Sequence, residues 1–270
     1  MFQNSVLQNS VLRIAQVSDI HFFASEKAEL LGLTTDHSFR AVLNRLEQIR
    51  SEIDLVLLTG DLSQDGSQAS YERLQSLIRP LQLPTYWLPG NHDIPLVMQQ
   101  VLTKAPVFSE KSFQAGSWHF VLLNSHAPGH VYGKLSPDHL AWLDEQLQQV
   151  PDRPTLLALH HPPFLVDSNW LDTSTLQNSP DLFAIVDRHP QVKLVLFGHI
   201  HQEFHRQRSG VDYLGVPSTS IQFEPQSTRF SLDSCAPGFR LLTLYSDGTW
   251  GTQVERVAYK CVLDLAAKGY

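Results

Sequence analysis

Five short apolar runs in this chain each end in residues able to hold a metal ion. "RIAQV" leads into Ser18-Asp19-Ile20-His21, "LVLLT" into Gly60-Asp61, and "TYWLP" into Gly90-Asn91-His92-Asp93. "TLLAL" leads into His160-His161-Pro162-Pro163, and "KLVLF" into Gly198-His199-Ile200-His201. Runs of branched apolar residues this short read as buried strands, and amphipathic stretches separate them. That alternation predicts an α/β fold. In open α/β sheets ligands bind outside the carboxyl ends of the strands, so groups spread from position 19 to position 201 are expected to meet at one edge.

The intervening elements can be placed. Residues 11–17, 54–59, 84–88, 118–124, 154–159 and 193–197 read as strands. Helices are expected over 36–50 with Asp36 as N-cap, over 67–79, near 94–103, over 136–150 with Ser136 as N-cap and Pro137 at its first position, and near 179–188. After residue 202 the pattern changes to short strands with turns, a β-rich C-terminal third. "QNSVL" repeats at 3–7 and 8–12, and the second copy runs into the first strand. Residues 1–12 therefore read as an N-terminal extension and 13–270 as a single domain. The loop at 164–178, "FLVDSNWLDTSTLQN", is long for a compact domain, and such loops are often functional.

The bulk numbers exclude several classes. A formal net charge of −7 without a Lys/Arg cluster disfavours nucleic acid as a partner. No segment approaches the ~20 apolar residues of a membrane span, and the N-terminus lacks the cationic start of a signal peptide. Two cysteines, Cys235 and Cys261, lie outside every motif and suggest a reducing cytoplasm, although they could pair.

Turn and cap residues closing strands would account for any one of the five motifs. Five in the same structural position, including two i/i+2 pairs, need a common cause. Taking His199 and His201 as extended places both imidazoles on one side, roughly 6.5 Å apart. Asp19, His21, Asp61, Asn91, His160, His199 and His201 make seven donors, too many for one ion. They suit two ions about 3.5–4 Å apart sharing a carboxylate. Imidazole and carboxylate without thiolate favour Mn, Fe or Zn over Mg or Ca.

Asp-x-His, Gly-Asp, Gly-Asn-His-Asp, a strand-end His and Gly-His-x-His, in that order, resemble the calcineurin-like metallophosphoesterases. The resemblance runs from about Arg13 to Val257. Within that family the chain is most similar to the bacterial class III 3′,5′-cyclic-nucleotide phosphodiesterases, through "WLPGNHD", "LHHPP", "SNWLD", "GHIHQE", "VPSTSIQF" and "SLDSCAPGFRLLTLYSDGT". It implies a four-layer αββα sandwich of two mixed β-sheets flanked by helices. It assigns Asp19, His21 and His201 to one metal, Asn91, His160 and His199 to the second, and Asp61 to both. His92 becomes the catalytic histidine, and His161 a supporting residue beside the ligands. His21, Asp61, Asn91, His92 and His201 are the positions with which the family holds the nucleotide product.

The implied reaction is hydrolysis of a phosphodiester, foremost 3′,5′-cyclic AMP to 5′-AMP, by in-line attack of hydroxide formed between two divalent ions. His92 would protonate the leaving oxygen or stabilise its charge. The implied partner is a small nucleotide, with neither nucleic acid nor membrane, and a homodimer is left open. Two rivals remain. One is a diphosphatase for ADP-ribose or CDP-alcohol substrates, or a glycerophosphodiesterase, on the same centre. The other is a non-catalytic scaffold of the same fold, which would be expected to have lost ligands. Gln64 stands where purple acid phosphatases carry a tyrosine ligand. "GDLSQDG" and Asp93 depart from the protein Ser/Thr phosphatase pattern, which argues against a phosphoprotein substrate. Asn124 replaces an aspartate common among relatives, so a contact behind the ligands is expected to differ.

Overall fold

The computed structural model describes residues 11–260 and 262–269. The expected N-terminal extension falls almost wholly outside the described residues, as does Cys261. The first strand starts at Leu12.

Two six-stranded sheets carry the chain. Across the first, the order is Trp250–Arg256, Gly238–Leu244, Leu12–Val17, Leu55–Thr59, Thr85–Leu88 and Val107–Phe108. Across the second it is Phe204–Arg208, Val211–Gly215, Val192–Phe197, Thr155–Ala158, Trp118–Leu122 and Ser112–Ala115. Both are mixed: the central strands run parallel, while the hairpins at 204–215 and 238–256 and the Ser112–Ala115 edge pair antiparallel. The 204–215 hairpin turns on Ser209 and Gly210, both with positive φ, as a tight two-residue turn requires.

Side-chain alternation divides the interior into three layers. Ile14, Leu55, Leu57, Leu156, Leu194 and Leu196 pack between the sheets. Ala15, Val56 and Leu58, one position along, face outward against the helices Thr35–Gln48, Gln68–Ile78 and Pro95–Val101. Val195 and Phe197 face the helices Pro137–Gln148 and Ser179–Val186. The result is a four-layer αββα sandwich. Gln16 lies buried between the sheets and donates to Thr59 Oγ1 in its own sheet (3.2 Å) and to Phe197 O in the other (3.2 Å). These two bonds of the amide nitrogen link the strands that carry the site, while Gln16 Oε1 is buried without a partner.

One helix start differs from expectation. Asp36 is the second residue of Thr35–Gln48, whose N-cap is Thr34. The Asp36 carboxylate instead accepts from Arg40 Nε (2.6 Å) and pairs with Arg73. Arg73 lies 37 positions away, so a local capping rule had no access to it. Ser136 behaves as expected: its Oγ accepts from His139 N (3.1 Å), with Pro137 next in line. The 164–178 loop is ordered by its own polar groups. Val166 N donates to Asp172 Oδ1 (2.7 Å), Asp172 N to Ser168 O (2.8 Å), and Leu176 N to Pro162 O (2.9 Å).

Candidate metal centre

The carboxyl ends of the parallel strands of both sheets meet at one edge, and backbone bonds lock them together. Asp19 N donates to Gly60 O (3.0 Å), His21 N to Asp61 O (2.9 Å), and Gly198 N to His160 O (3.1 Å). The two sheets touch where Gly198 passes Ser18 and Asp19. A Cβ at 198 would overlap Ser18 Oγ, so glycine is required for this approach. The neighbouring His199 N then donates to the Asp19 carboxylate (3.1 and 3.2 Å).

Five of the seven expected ligands, Asp19, His21, Asp61, His199 and His201, have left-handed backbones with φ between 49° and 69°. Non-glycine residues hold this conformation at a cost of roughly 1–3 kcal/mol each, and such strain clusters at functional sites. It also corrects the expected geometry of the histidine pair. The strand ends at Phe197, and beyond it the two imidazoles diverge rather than lying side by side. His201 joins Asp19 and His21, whereas His199 joins His160.

The ring tautomers follow from the partners. His160 Nδ1 donates to Thr59 O (2.9 Å), His201 Nδ1 to Ile221 O (2.8 Å), and His21 Nδ1 to Gln64 Oε1 (2.6 Å). Each Nε2 of a neutral ring therefore presents a lone pair to the centre. His21 Nε2 and His201 Nε2 lie 3.2 Å apart, and His201 Nε2 is 3.3 Å from Asp19 Oδ1. His160 Nε2 and Asp61 Oδ2 are 3.2 Å apart, yet neither atom has a hydrogen-bond partner, and Asn91 Oδ1 is likewise buried without one. Lone pairs and carboxylate oxygens packed together in a buried site repel unless a cation lies among them. The donor set fits metal ions.

The electrostatics agree. Burial pushes the His21 pKa down to about 3 and those of His161 and His199 well below the usual imidazole value. Burial also opposes charge on His160, but the Asp61 and Asp19 carboxylates overcome it and raise that ring to about 9. A proton there answers the same deficit of positive charge that a metal would. Burial would raise Asp61, but His160, His92 and His21 outweigh it and hold the carboxyl well below its ordinary value.

His161 is differently employed. Its Nδ1 meets Ser125 Oγ (2.8 Å) and its Nε2 donates to Val131 O (3.0 Å), so both nitrogens serve the surrounding loop. His92 is half-buried, with its ring edge-on to His21 at 5.1 Å between centroids; its backbone N–H donates to Asp61 Oδ1 (2.9 Å). A nitrogen of its ring also lies within 4.8 Å of ligand atoms of His21 and Asp61. Asn124 is exposed and accepts from His126 N (3.0 Å), an Asx turn closing its own loop.

Three supporting groups escaped the sequence reading. The carbonyls of Thr59 and Ile221 carry no side-chain signal. Ser174, in the long loop, does: its Oγ contacts both Leu171 O and His199 Nε2 at 2.8 Å. A hydroxyl has one proton, and the carbonyl can only accept it. His199 Nε2–H therefore donates to Ser174 Oγ, which leaves Nδ1 as the nitrogen that can coordinate. This is opposite to His21, His160 and His201.

Comparison with known proteins bears on this geometry. Residues 12–203 match the family model for calcineurin-like phosphoesterases. The chain is 56% identical over 253 residues to a 3′,5′-cyclic-nucleotide phosphodiesterase of Nostoc, covering 94% of this chain and 95% of the relative. It is 41% identical over 261 residues to a 3′,5′-cyclic adenosine monophosphate phosphodiesterase of Escherichia coli, covering 96% and 95%. Among solved structures, a dimetal phosphatase of Danio rerio superposes with a TM-score of 0.66 at 14% identity, covering 92% of this chain and 99% of that one. At that identity the likeness speaks for the fold alone.

Proposed function

The chain belongs to the calcineurin-like phosphoesterase family, and on that premise we propose that it hydrolyses 3′,5′-cyclic nucleotides, cyclic AMP foremost, to nucleoside 5′-monophosphates. The observation that carries the reading is the convergence of three imidazole lone pairs on the Asp19 and Asp61 carboxylates. Asp19, His21 and His201 would hold one ion, Asn91, His160 and His199 the second, and Asp61 both. All seven donors are present, which speaks against a non-catalytic scaffold. Mixed nitrogen and oxygen donors suit Mn or Fe, with Zn as a further choice. Relatives of 41–56% identity bearing cyclic-nucleotide phosphodiesterase names support the substrate. Residues 13–270 form the single catalytic domain in this reading. Cysteine usage favours the cytoplasm, and among the described residues no helix is long and apolar enough to cross a membrane.

When bound, two divalent ions would supply positive charge to the phosphoryl oxygens and lower the pKa of water. The residues of the chain supply the rest. His21, Asp61, Asn91, His92 and His201 form the phosphate side of the site. Asp61 fixes the turn that carries His92, and in this reading the His92 ring gives a proton to the departing 3′-oxygen. Retaining the 5′-phosphate requires that this oxygen lie opposite the attacking one.

Product analysis tests the reading. Cyclic AMP should give 5′-AMP, and cyclic GMP should turn over within about tenfold of it, roughly 1.4 kcal/mol in barrier. Release of 3′-AMP would mean that the 5′-oxygen departs and would overturn the orientation assigned to the substrate. Fast cleavage of ADP-ribose or a CDP-alcohol without turnover of any cyclic nucleotide would give the site to a diphosphatase.

The Ser174 bond makes a separate prediction. Ser174→Ala frees His199 to adopt the wrong tautomer, and loss of such a supporting partner typically weakens metal affinity 10–100-fold. Chelator competition followed by metal analysis should show one of two ions released early, with Ser174→Thr largely restored. Unchanged retention in Ser174→Ala would remove the serine from any role in holding the metal.

A further inference from the structure

We propose that the cavity walled by Trp170, Phe223 and Phe230 is the subsite for the base of the nucleotide, and that Trp170 is its specificity-determining residue. The inference rests on the cyclic-nucleotide reading above. The cavity measures about 470 Å³, within the range of small-molecule sites, and His92 and His199 stand in its lining. One wall is therefore the phosphate side of the centre, and another is aromatic. A nucleotide has the same two ends.

The aromatic wall packs against His201, one of the candidate metal ligands. Phe223 stacks flat on His201, with centroids 4.1 Å apart and planes at 11°. Trp170 meets Phe223 edge-on at 4.9 Å and Phe230 at 5.1 Å. The half-buried Trp170 is thus braced by two phenyl rings and still contributes to the cavity lining. The loop that carries it is held by the Val166–Asp172 bond and by Ser174 on His199. A platform pre-fixed in this way binds a planar ring without paying to order itself.

The charge of the cavity fits an anion. Among the described residues its lining contains no Asp or Glu, in a chain of net charge −7, and Lys268 brings a cation to it. Stacking favours any base, because every base offers a π-face. A subsite built mainly on stacking gives affinity without sharp choice between purines, which agrees with the tenfold window expected for cyclic GMP.

Trp170→Ala and Trp170→Phe should be compared with the parent enzyme on cyclic AMP, cyclic GMP and base-free ribose 3′,5′-cyclic phosphate. Losing one stacking platform should raise KM for both cyclic nucleotides roughly 5- to 150-fold, with a much smaller change in kcat. The defect on the base-free substrate should be far smaller, phenylalanine should recover most of the loss, and bound metal should stay constant. Binding of 5′-AMP provides a readout independent of turnover: it should quench tryptophan fluorescence in the parent but much less in Trp170→Phe. Hydrolysis of cyclic AMP with an unaltered KM in Trp170→Ala, or an equal defect on the base-free substrate, overturns the subsite. Selective quenching by 5′-AMP without hydrolysis of any cyclic nucleotide would leave the subsite standing and remove the reaction assigned to it.

Discussion

Asp61→Asn should leave a folded protein that has lost at least one metal and nearly all activity. Asp61 is fully buried, and its two oxygens have different duties. Oδ1 accepts the His92 backbone N–H, while Oδ2 lies 3.2 Å from His160 Nε2 and 3.9 Å from His21 Nε2. In asparagine the amide nitrogen cannot face His92 N–H, donor against donor, so it must turn to His160. There it can donate to the Nε2 lone pair that otherwise needs a cation. The substitution therefore removes the charge that holds two ions together. Thermal stability without metal should be lower than that of the parent, because the depressed Asp61 and the raised His160 form a buried pair that the substitution breaks. Turnover should fall by at least 10²–10³-fold, the scale of removing one group that stabilises transition-state charge. Metal analysis should find fewer than two ions per chain. Two retained ions with near-normal turnover would refute the bridging role.

The reasons this centre was legible in sequence also explain what was not. Its donors are side chains at the carboxyl ends of parallel strands, and both the strand periodicity and the residue types are local properties. The order of strands across each sheet is not local: Leu12–Val17 pairs with Gly238–Leu244 from the far end of the chain, which no spacing announces. Two-residue strands such as Val107–Phe108 are too short to show a period. Extended geometry was assumed for Gly198-His199-Ile200-His201, but the sheets meet at Gly198 and the chain turns left-handed immediately after it. That turn sends the two histidines to separate halves of the site. The carbonyls of Thr59 and Ile221, which set two ring tautomers, are invisible in a sequence because every residue has one. Trp170, within the long loop, packs against Phe223 and Phe230 and also lines the cavity, a double role that no local spacing announces.

His92→Ala should separate chemistry from metal binding. His92 lines the cavity with its ring at 78° to that of His21, while its backbone N–H is held by Asp61. Alanine keeps that backbone bond, so the turn carrying Asn91 should stay in place and the metal content should remain that of the parent. What disappears is the imidazole that, in the proposed mechanism, gives the departing oxygen its proton. A ribose alkoxide is a poor leaving group, and loss of general-acid help typically costs 10²–10⁴-fold in kcat. The cost should depend on the leaving group. With a p-nitrophenyl diester the departing phenolate needs little protonation, so the defect should shrink by at least an order of magnitude relative to cyclic AMP. A defect of equal size on both substrates would mean that the ring acts on the phosphoryl oxygens rather than on the leaving one. Loss of an ion would mean more, because the ring lies within 4.8 Å of ligand atoms of His21 and Asp61. In that event His92 would be counted among the ligands, and the proton for the leaving group would have to come from another residue or from water.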